Sequence, residues 1–334
     1  MLARKTKLIL DGWGIVGETP MLIPSFSSTI NEDVRNVIKT MDEFIKGPIL
    51  VSAYDIKFAK PKLPKLTFPT LIFIDSGGYE CSIKMGVSDF GFYKGVPKDE
   101  EEWNETVHSE VINDLIEKYR KFKPLVIVSY DHPTRRESFQ KQVKRARDLY
   151  NNKEDILKEF LVKPETKKAE GINIESLFEN ISLLDSFDII GFTEKELGHS
   201  VWIRMTNIAK IRKEMDKQNI KKPVHIFGSL DTITTPLYYC SGADIFDGLT
   251  WIRYMFHEGM MLYPESHGPY LEGIQSDVDT LRLTNLAKNN IYLKGLEMDL
   301  EKFQSSESFD HFGVHADFFT KAYENLMVKL NEVK

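Results

Sequence analysis

The sequence has few cysteines, no long apolar run and no excess of positive charge. Only Cys81 and Cys240 occur among its 334 residues, which excludes a disulfide-stabilised scaffold and fits a reducing cytoplasm. No apolar stretch approaches the roughly 20 residues that span a bilayer, and the apolar run after the basic start is too short for a signal peptide. The net charge of −6 excludes a globally basic protein, so any nucleic-acid contact must be local.

Eight short apolar segments recur along the chain, and nearly all of them are continuously apolar. This pattern is typical of parallel strands buried on both faces. Helical patterns lie between several of them, so we predict an α/β fold, a (β/α)8 TIM barrel. The predicted strands are 20–26, 48–54, 70–76, 124–131, 159–164, 188–192, 224–229 and 244–249, and the predicted helices are 31–46, 105–121, 136–152, 174–187 and 201–218.

An open doubly wound sheet is the alternative architecture. Such sheets usually have a Gly-rich phosphate-binding turn after the first strand, and the segment PMLIPSFSSTI has none. We therefore assign residues 1–256 to the barrel, with an N-terminal extension and an insertion at about 80–104. Residues 257–334 form a helical C-terminal appendage packed on the barrel, with a loop at 257–276 and helices at about 277–290 and 315–333.

Polar side chains follow several predicted strands at the end where barrel enzymes carry their active sites. Asp75, Asp131 and Asp247 are carboxylates, and Lys163 adds an amine. An unpaired carboxylate near an apolar core is costly, so these residues suggest a carboxylate site acting on a substrate. The structural alternative is that each Asp caps the next helix or pairs with a lysine.

Five segments resemble motifs of the tRNA-guanine transglycosylase superfamily, in the family's order and across residues 8–253. DSGGY at 75–79 matches the DSGG[FY] motif, and 225–247 resembles the segment that ends in the family's nucleophile. ETPMLIPSFSS (18–28), ILVSAY (49–54) and VSYDHPTRR (128–136) match the other three segments. The resemblance implies that a guanine is cut from a nucleic acid and a 7-deazaguanine is installed in its place.

The resemblance also implies residue roles. Asp247 would be the nucleophile that attacks C1′ of the sugar, and Asp75 the general acid/base that serves the departing and incoming bases. Tyr79 and Phe227 would sandwich the purine, and Asp131 would accept hydrogen bonds from its N–H edge. The remaining base contacts would come from Ser76, Lys163, Gly191 and Gly228. No cofactor is implied.

The chain departs from the family pattern in three places. The zinc motif C-x-C-x₂-C is absent, because no cysteine lies beyond Cys240. His311 and His315 are spaced by four, but Gly313 between them weakens a helical ligand pair, and we predict no metal. The basic segment after the nucleophile keeps only Arg253. Lys163 stands where a Gln is expected, and Phe192 replaces the second Gly of the family's "GGL".

The lost tRNA-specific parts point to another polymer. The chain resembles the branch that inserts 7-deazaguanines into DNA, so its partners would be DNA, a free base such as preQ0 and accessory modification proteins, with no membrane. Phosphate contacts would come from Lys60, Lys62, Arg135, Arg136 and Arg253. The alternatives are a zinc-free tRNA-guanine transglycosylase of the queuosine or archaeosine type and a non-catalytic nucleic-acid-binding subunit. A metal-dependent barrel hydrolase is disfavoured, because no strand is followed by an H-x-H pair.

Overall fold

The computed structural model describes residues 1–30, 34–59, 62–81, 103–132, 135–166, 169 and 171–332. An N-terminal hairpin, β1 (Lys7–Leu10) and β2 (Gly14–Glu18), precedes a closed barrel of eight parallel strands. All eight predicted strands are confirmed, and the (β/α)8 fold with them. The barrel strands are β3 (Met21–Phe26), β4 (Ile49–Ser52), β5 (Ile72–Asp75), β6 (Leu125–Val128), β7 (Leu157–Val162), β8 (Ile189–Thr193), β9 (Val224–Phe227) and β10 (Ile245–Gly248).

Helices follow the strands and cover the outside of the barrel. Each of the five predicted helical segments contains a helix, although the helix predicted at 174–187 ends at Glu179 and is followed by a 3₁₀ helix at Ile181–Ser186. Side-chain caps set two of the starts: Asn104 accepts a hydrogen bond from Val107 N, and Ser200 from Ile203 N. The helices are α1 (Val34–Met41), α2 (Ala53–Phe58), α3 (Gly78–Cys81), α4 (Glu105–Tyr119), α5 (Phe139–Tyr150), α6 (Ile174–Glu179), α7 (Val201–Lys217), α8 (Thr234–Cys240) and α9 (Thr250–Arg253). The predicted insertion at about 80–104 lies almost wholly outside the described residues.

The barrel interior is a separate apolar cluster that the hairpin completes. Met21 and Ile23 of β3 and Phe73 of β5 pack inside the barrel, and Leu8 and Leu10 of β1 join the same cluster. Alternate residues of each strand therefore face the lumen, as in other eight-stranded barrels. The hairpin contacts these residues near the N-terminal end of the barrel and covers that end.

A buried ion pair ties helix α7 to the start of two strands. Arg212 and Asp244 are both fully buried and paired with each other. Arg212 also donates to the carbonyl of Gly242 at 2.8 Å, and Asp244 accepts from Val224 N at 2.7 Å. Burial of two charges is costly, and these bonds offset part of that cost while they fix β9 and β10 against the helix layer.

The C-terminal region is more ordered than the sequence predicts. The prediction of a loop at 257–276 is wrong, because this segment contains most of a short hairpin and a helix. The helix predicted to end near 290 continues to Ser306. Three-residue strands are too short to show a period in sequence. The elements are β11 (Met255–His257), β12 (Met260–Leu262), α10 (Pro264–Glu272), α11 (Val278–Ser306) and α12 (Ala316–Glu332). Within the described ranges, none of the helices has the length and apolarity to cross a membrane.

Helix α11 packs on the barrel and supports the segment that follows β10. The side chain of Asn289 is fully buried; it accepts from Phe256 N at 2.7 Å and donates to the carbonyls of Trp251 and Tyr254 at 2.7 and 2.6 Å. Leu293 and Leu300 of the same helix belong to the cluster that also contains the outer faces of the strands. Helix α11 is therefore packed on the barrel.

We expect Asn289→Ala to lower the free energy of unfolding by about 2–4 kcal/mol, because it leaves buried backbone groups without partners. Chemical denaturation monitored by circular dichroism measures this change. Ser305→Ala, on the exposed surface of the same helix, is the control and should change stability by less than about 0.5 kcal/mol. Equal stability of Asn289→Ala and the control would show that α11 does not hold this segment.

Candidate active site

A cavity of about 500 Å³ opens at the C-terminal ends of the barrel strands. Both predicted catalytic acids lie in its wall, on strands that are not neighbours in the barrel. The structure thus brings together most of the residues singled out from the sequence. They are Asp75, Ser76, Tyr79, Asp131, Arg136, Lys163, Phe227, Gly228, Asp247 and Arg253.

The other predicted residues lie elsewhere. Gly191 is not among the described residues of the cavity wall; it lies within β8, where an added Cβ would be 2.6 Å from Phe227 Cε2. Arg135 is exposed beside a smaller neighbouring depression, and Lys62 is exposed on the segment after α2. Lys60 lies outside the described residues.

The Ser-Gly-Gly-Tyr turn places Asp75 at the mouth of the barrel. Gly77 has a φ of +78°, and a Cβ there would be only 2.5 Å from Cβ of Tyr54, so no other residue fits without a shift. Ser76 is buried, and its hydroxyl accepts from Gly78 N at 3.2 Å. The turn then places Tyr79 at the cavity with 44% of its surface exposed.

Asp247 is held by donors from both neighbouring strands. Ser25 Oγ on β3 donates to its Oδ2 at 2.7 Å, and the backbone N–H of Gly228, after β9, donates to its Oδ1 at 3.1 Å. His225 Nε2 lies 3.3 Å from Oδ1, within ion-pair distance. These contacts fix the orientation of the carboxylate and compensate its negative charge.

Asp75 has a different electrostatic environment. Burial, followed by the nearby charge of Asp247, raises the pKa of Asp75 to about 7. Ser76 N–H counteracts this rise, and Asp131 and Glu159 add to it. Within the described part of the chain, no cation lies at ion-pair distance from Asp75. A carboxyl group that titrates near neutral pH is suited to giving and taking a proton.

Asp131 belongs to an ion network with Lys163. The Lys163 ammonium lies 3.3 Å from Asp131 and 2.8 Å from Glu196, and it donates to Thr193 Oγ1 at 3.2 Å. Burial alone lowers the pKa of Lys163, but Asp131 and Glu196 outweigh it, so the pKa is raised and the ammonium stays charged. The pocket wall therefore presents a fixed donor beside a carboxylate acceptor.

Sequence reasoning missed several polar residues of this end of the barrel. Ser25, Glu80, Glu194 and Glu196 line the cavity, and Glu159 and His225 are buried beneath it. A signal existed for the last two, because an ionisable residue inside an otherwise apolar strand needs a partner. Glu80 is buried and accepts from Ser27 Oγ at 2.6 Å; burial and then Asp55 raise its pKa well above the usual range.

Among the described side chains, no group of three His, Cys, Asp or Glu residues is arranged to hold a metal ion. His315 Nε2 lies 2.8 Å from the carbonyl oxygen of Gly259, so its hydrogen bond goes to backbone.

The fold and cavity define a (β/α)8-barrel protein whose C-terminal cavity carries Asp75 and Asp247 among six carboxyl groups. The chain matches no protein-family model, and no curated protein matches it.

The raised pKa of Asp75 predicts a stability that depends on pH. The unfolded chain releases this proton near pH 4 and the folded chain near pH 7, so stability falls between these values and is constant above them. Asp75→Asn removes this loss, worth up to about 4 kcal/mol at about 1.4 kcal/mol per pKa unit. We expect its melting temperature to exceed the wild-type value at pH 8 and the difference to shrink at pH 5. Asp114→Asn, at an exposed position of α4, should show no such trend. If the difference in melting temperature between Asp75→Asn and the wild type is the same at pH 5 and pH 8, the raised pKa of Asp75 is contradicted.

Proposed function

We propose that the protein exchanges guanine in DNA for a 7-deazaguanine base through a covalent intermediate between Asp247 and the sugar. The observation that carries this proposal is that one cavity holds both Asp247 and Asp75. Asp247 accepts two hydrogen bonds and lies 3.3 Å from His225, and the pKa of Asp75 lies near 7. The two acids have distinct environments, which is how one site assigns separate roles to two carboxyl groups.

The reaction has two displacements. In the first, an Asp247 oxygen forms a bond to C1′, the glycosidic bond breaks, and its electron pair leaves with guanine, which takes a proton from Asp75. In the second, Asp75 takes the N9 proton of the incoming base, N9 attacks C1′, and Asp247 leaves as a carboxylate. Two displacements retain the configuration at C1′, as in retaining glycosidases.

The cavity wall fits a purine. Its volume lies within the usual range for small-molecule sites, about 300–1,000 Å³. His225 covers one face of the Phe227 ring, with ring centroids 4.0 Å apart, so only the opposite face is left for a base. Tyr79 supplies a second aromatic surface, while Asp131 and Lys163 supply an acceptor and a donor for the polar edge of the base. The target nucleotide must be flipped out of a duplex or already single-stranded to enter.

Arg253 is the best-placed residue for a phosphate of the nucleic acid. It lies on the cavity wall, and in the described part of the chain no carboxylate lies at ion-pair distance from it. Trp251, two residues earlier, is fully buried and donates to the carbonyl of Ser25 at 3.0 Å, which anchors α9. Arg136 also lines the cavity, but it is bonded to the carbonyls of His132 and Arg135 and lies 3.8 Å from Asp131.

DNA is preferred to tRNA because the sequence lacks the zinc motif and most of the basic segment that the resembled family uses on tRNA. We expect labelled guanine or 7-deazaguanine to enter DNA, single-stranded or duplex, and not bulk tRNA. Asp247→Ala should abolish incorporation and the denaturation-resistant DNA adduct, since no nucleophile remains. Asp310→Ala, an exposed acid outside the cavity, is the control.

Labelling of tRNA alone would replace the DNA proposal with the zinc-free tRNA enzyme. An active Asp247→Ala would contradict the covalent mechanism. Binding of DNA without any incorporation, also in the presence of cell extract that supplies accessory proteins, would favour the non-catalytic subunit.

We expect Arg253→Ala to weaken single-stranded DNA binding and to reduce the slope of log K against log salt by about 1, because one phosphate contact is lost. Fluorescence anisotropy at several salt concentrations measures both quantities. Lys221→Ala, before β9 at the opposite end of the barrel, is the matched control and should leave the slope unchanged. The same slope for both variants would exclude Arg253 from the phosphate contacts.

A further inference from the structure

Two ionisable side chains lie in the barrel lumen below the cavity and take no direct part in the proposed reaction. Glu159 on β7 and His225 on β9 are both fully buried, and His225 Nδ1 lies 2.6 Å from Glu159 Oε1. Burying two ionisable groups costs several kcal/mol, and an apolar pair at these positions would be easier to accommodate. The position of this pair is therefore explained by the group that the second ring nitrogen of His225 contacts.

The other end of the pair reaches the candidate nucleophile. His225 Nε2 lies 3.3 Å from Asp247 Oδ1, within ion-pair distance, and this buried nitrogen makes no hydrogen bond within the described residues. Glu159, His225 and Asp247 thus form a chain from β7 to β10 inside the barrel. The imidazole of His225 bridges the carboxyl groups of Glu159 and Asp247.

Packing holds the imidazole in this orientation. Phe227 stacks on the ring at 4.0 Å between centroids, and Phe73 meets it edge-on at 5.8 Å. Gly191 on β8 lies between β7 and β9, where an added Cβ would be 2.6 Å from Phe227 and 3.1 Å from Glu159 Oε1. The missing side chain at Gly191 is therefore what lets Glu159 reach His225 across β8 and lets Phe227 stack.

The charges around the ring favour the imidazolium. Burial lowers the pKa of His225, but Glu159 and Asp247 outweigh it and raise the pKa to about 9. Burial also raises the pKa of Glu159, and His225 counteracts that rise. The cavity above the ring also carries Asp75 and Asp131, and the charges of Asp247, Asp131 and Glu159 act on Asp75. Glu80, Glu194, Glu196 and the Lys163 ammonium line the same cavity.

We propose that His225, fixed by Glu159, is a positioning residue that holds the Asp247 carboxylate in place for attack on the sugar. This inference rests on the proposed function for its kinetic part. His225 keeps its proton throughout: Glu159 compensates the imidazolium when Asp247 becomes an ester and loses its negative charge. When the second displacement releases Asp247, its carboxylate again lies beside the His225 imidazolium. Asp75 therefore carries out both proton transfers of the reaction.

The first experiment does not depend on any activity. Imidazole-¹⁵N NMR of the whole protein, with His225 assigned by its absence in His225→Asn, follows its ionisation between pH 5 and 10. We expect titration near pH 9 in the wild type, and a pKa lower by more than one unit in Glu159→Gln and in Asp247→Asn. A neutral His225 at pH 7 in the wild type would overturn the proposal, whether or not the protein transfers bases.

The second experiment measures single-turnover formation of the Asp247 adduct on DNA. We expect His225→Gln to slow it about 100-fold, while the KM for the free base in steady-state exchange changes less than two-fold. Glu159→Gln should slow it about ten-fold at pH 7 and make the rate fall as the pH rises through the lowered pKa of His225. His225→Lys should recover part of the rate lost in His225→Gln, because it restores a cation near Asp247.

His267→Gln, an exposed histidine on α10, is the matched control, and thermal melting shows whether each variant folds. A folded His225→Gln with the wild-type rate would overturn the proposal. A wild-type protein that forms no adduct with any nucleic acid would overturn the proposed function instead, and the NMR titration would still decide the state of His225.

Discussion

The pairing of β3 with β10 closes the barrel, and the candidate site depends on it. The two strands lie side by side with Asp247 opposite Ile23, and Ser25 Oγ bonds the Asp247 carboxylate across 222 residues of sequence. The other neighbour of β10 is β9, which supplies His225 and the N–H of Gly228. Without closure, Asp247 would lie on an edge strand and lose the hydrogen bond from Ser25.

Compensation of negative charge is the second constraint at this end of the barrel. Lys163 lies between Asp131 and Glu196, and Arg204 pairs with Glu194 at 2.7 Å. Asp75 receives an N–H from Ser76 and no described cation, so burial and its neighbours raise its pKa to about 7. The arrangement thus leaves one acid able to exchange a proton at neutral pH, at a cost in folded-state stability.

The C-terminal helices contribute to the site indirectly. Asn289 of α11 bonds three backbone groups in the segment after Asp247, and this segment carries Arg253. In the proposed function, α11 therefore supports the phosphate contact. A chain without the zinc motif of the resembled family still has a rigid support here, built from a buried amide and apolar packing.

Local sequence patterns were enough to predict the eight strands and the candidate acids at their ends. Continuous apolar runs are long enough to identify strands buried on both faces, and DSGGY is a local motif whose turn depends on Gly77. The same continuity hides which residues face the lumen, because outward and inward positions are equally apolar. For that reason the sequence showed that Glu159 and His225 each need a partner, but not that they contact each other.

The contacts between these side chains depend on the tertiary fold. Closure brings Ser25 to Asp247, the gap at Gly191 lets Glu159 reach His225, and both contacts join residues on different strands. The hairpin at Met255–Leu262 and the full length of α11 also escaped prediction, because tertiary packing rather than local pattern stabilises them. Local chemistry fixed which residues are available for a site, and the long-range geometry of the barrel decided which of them act on one another.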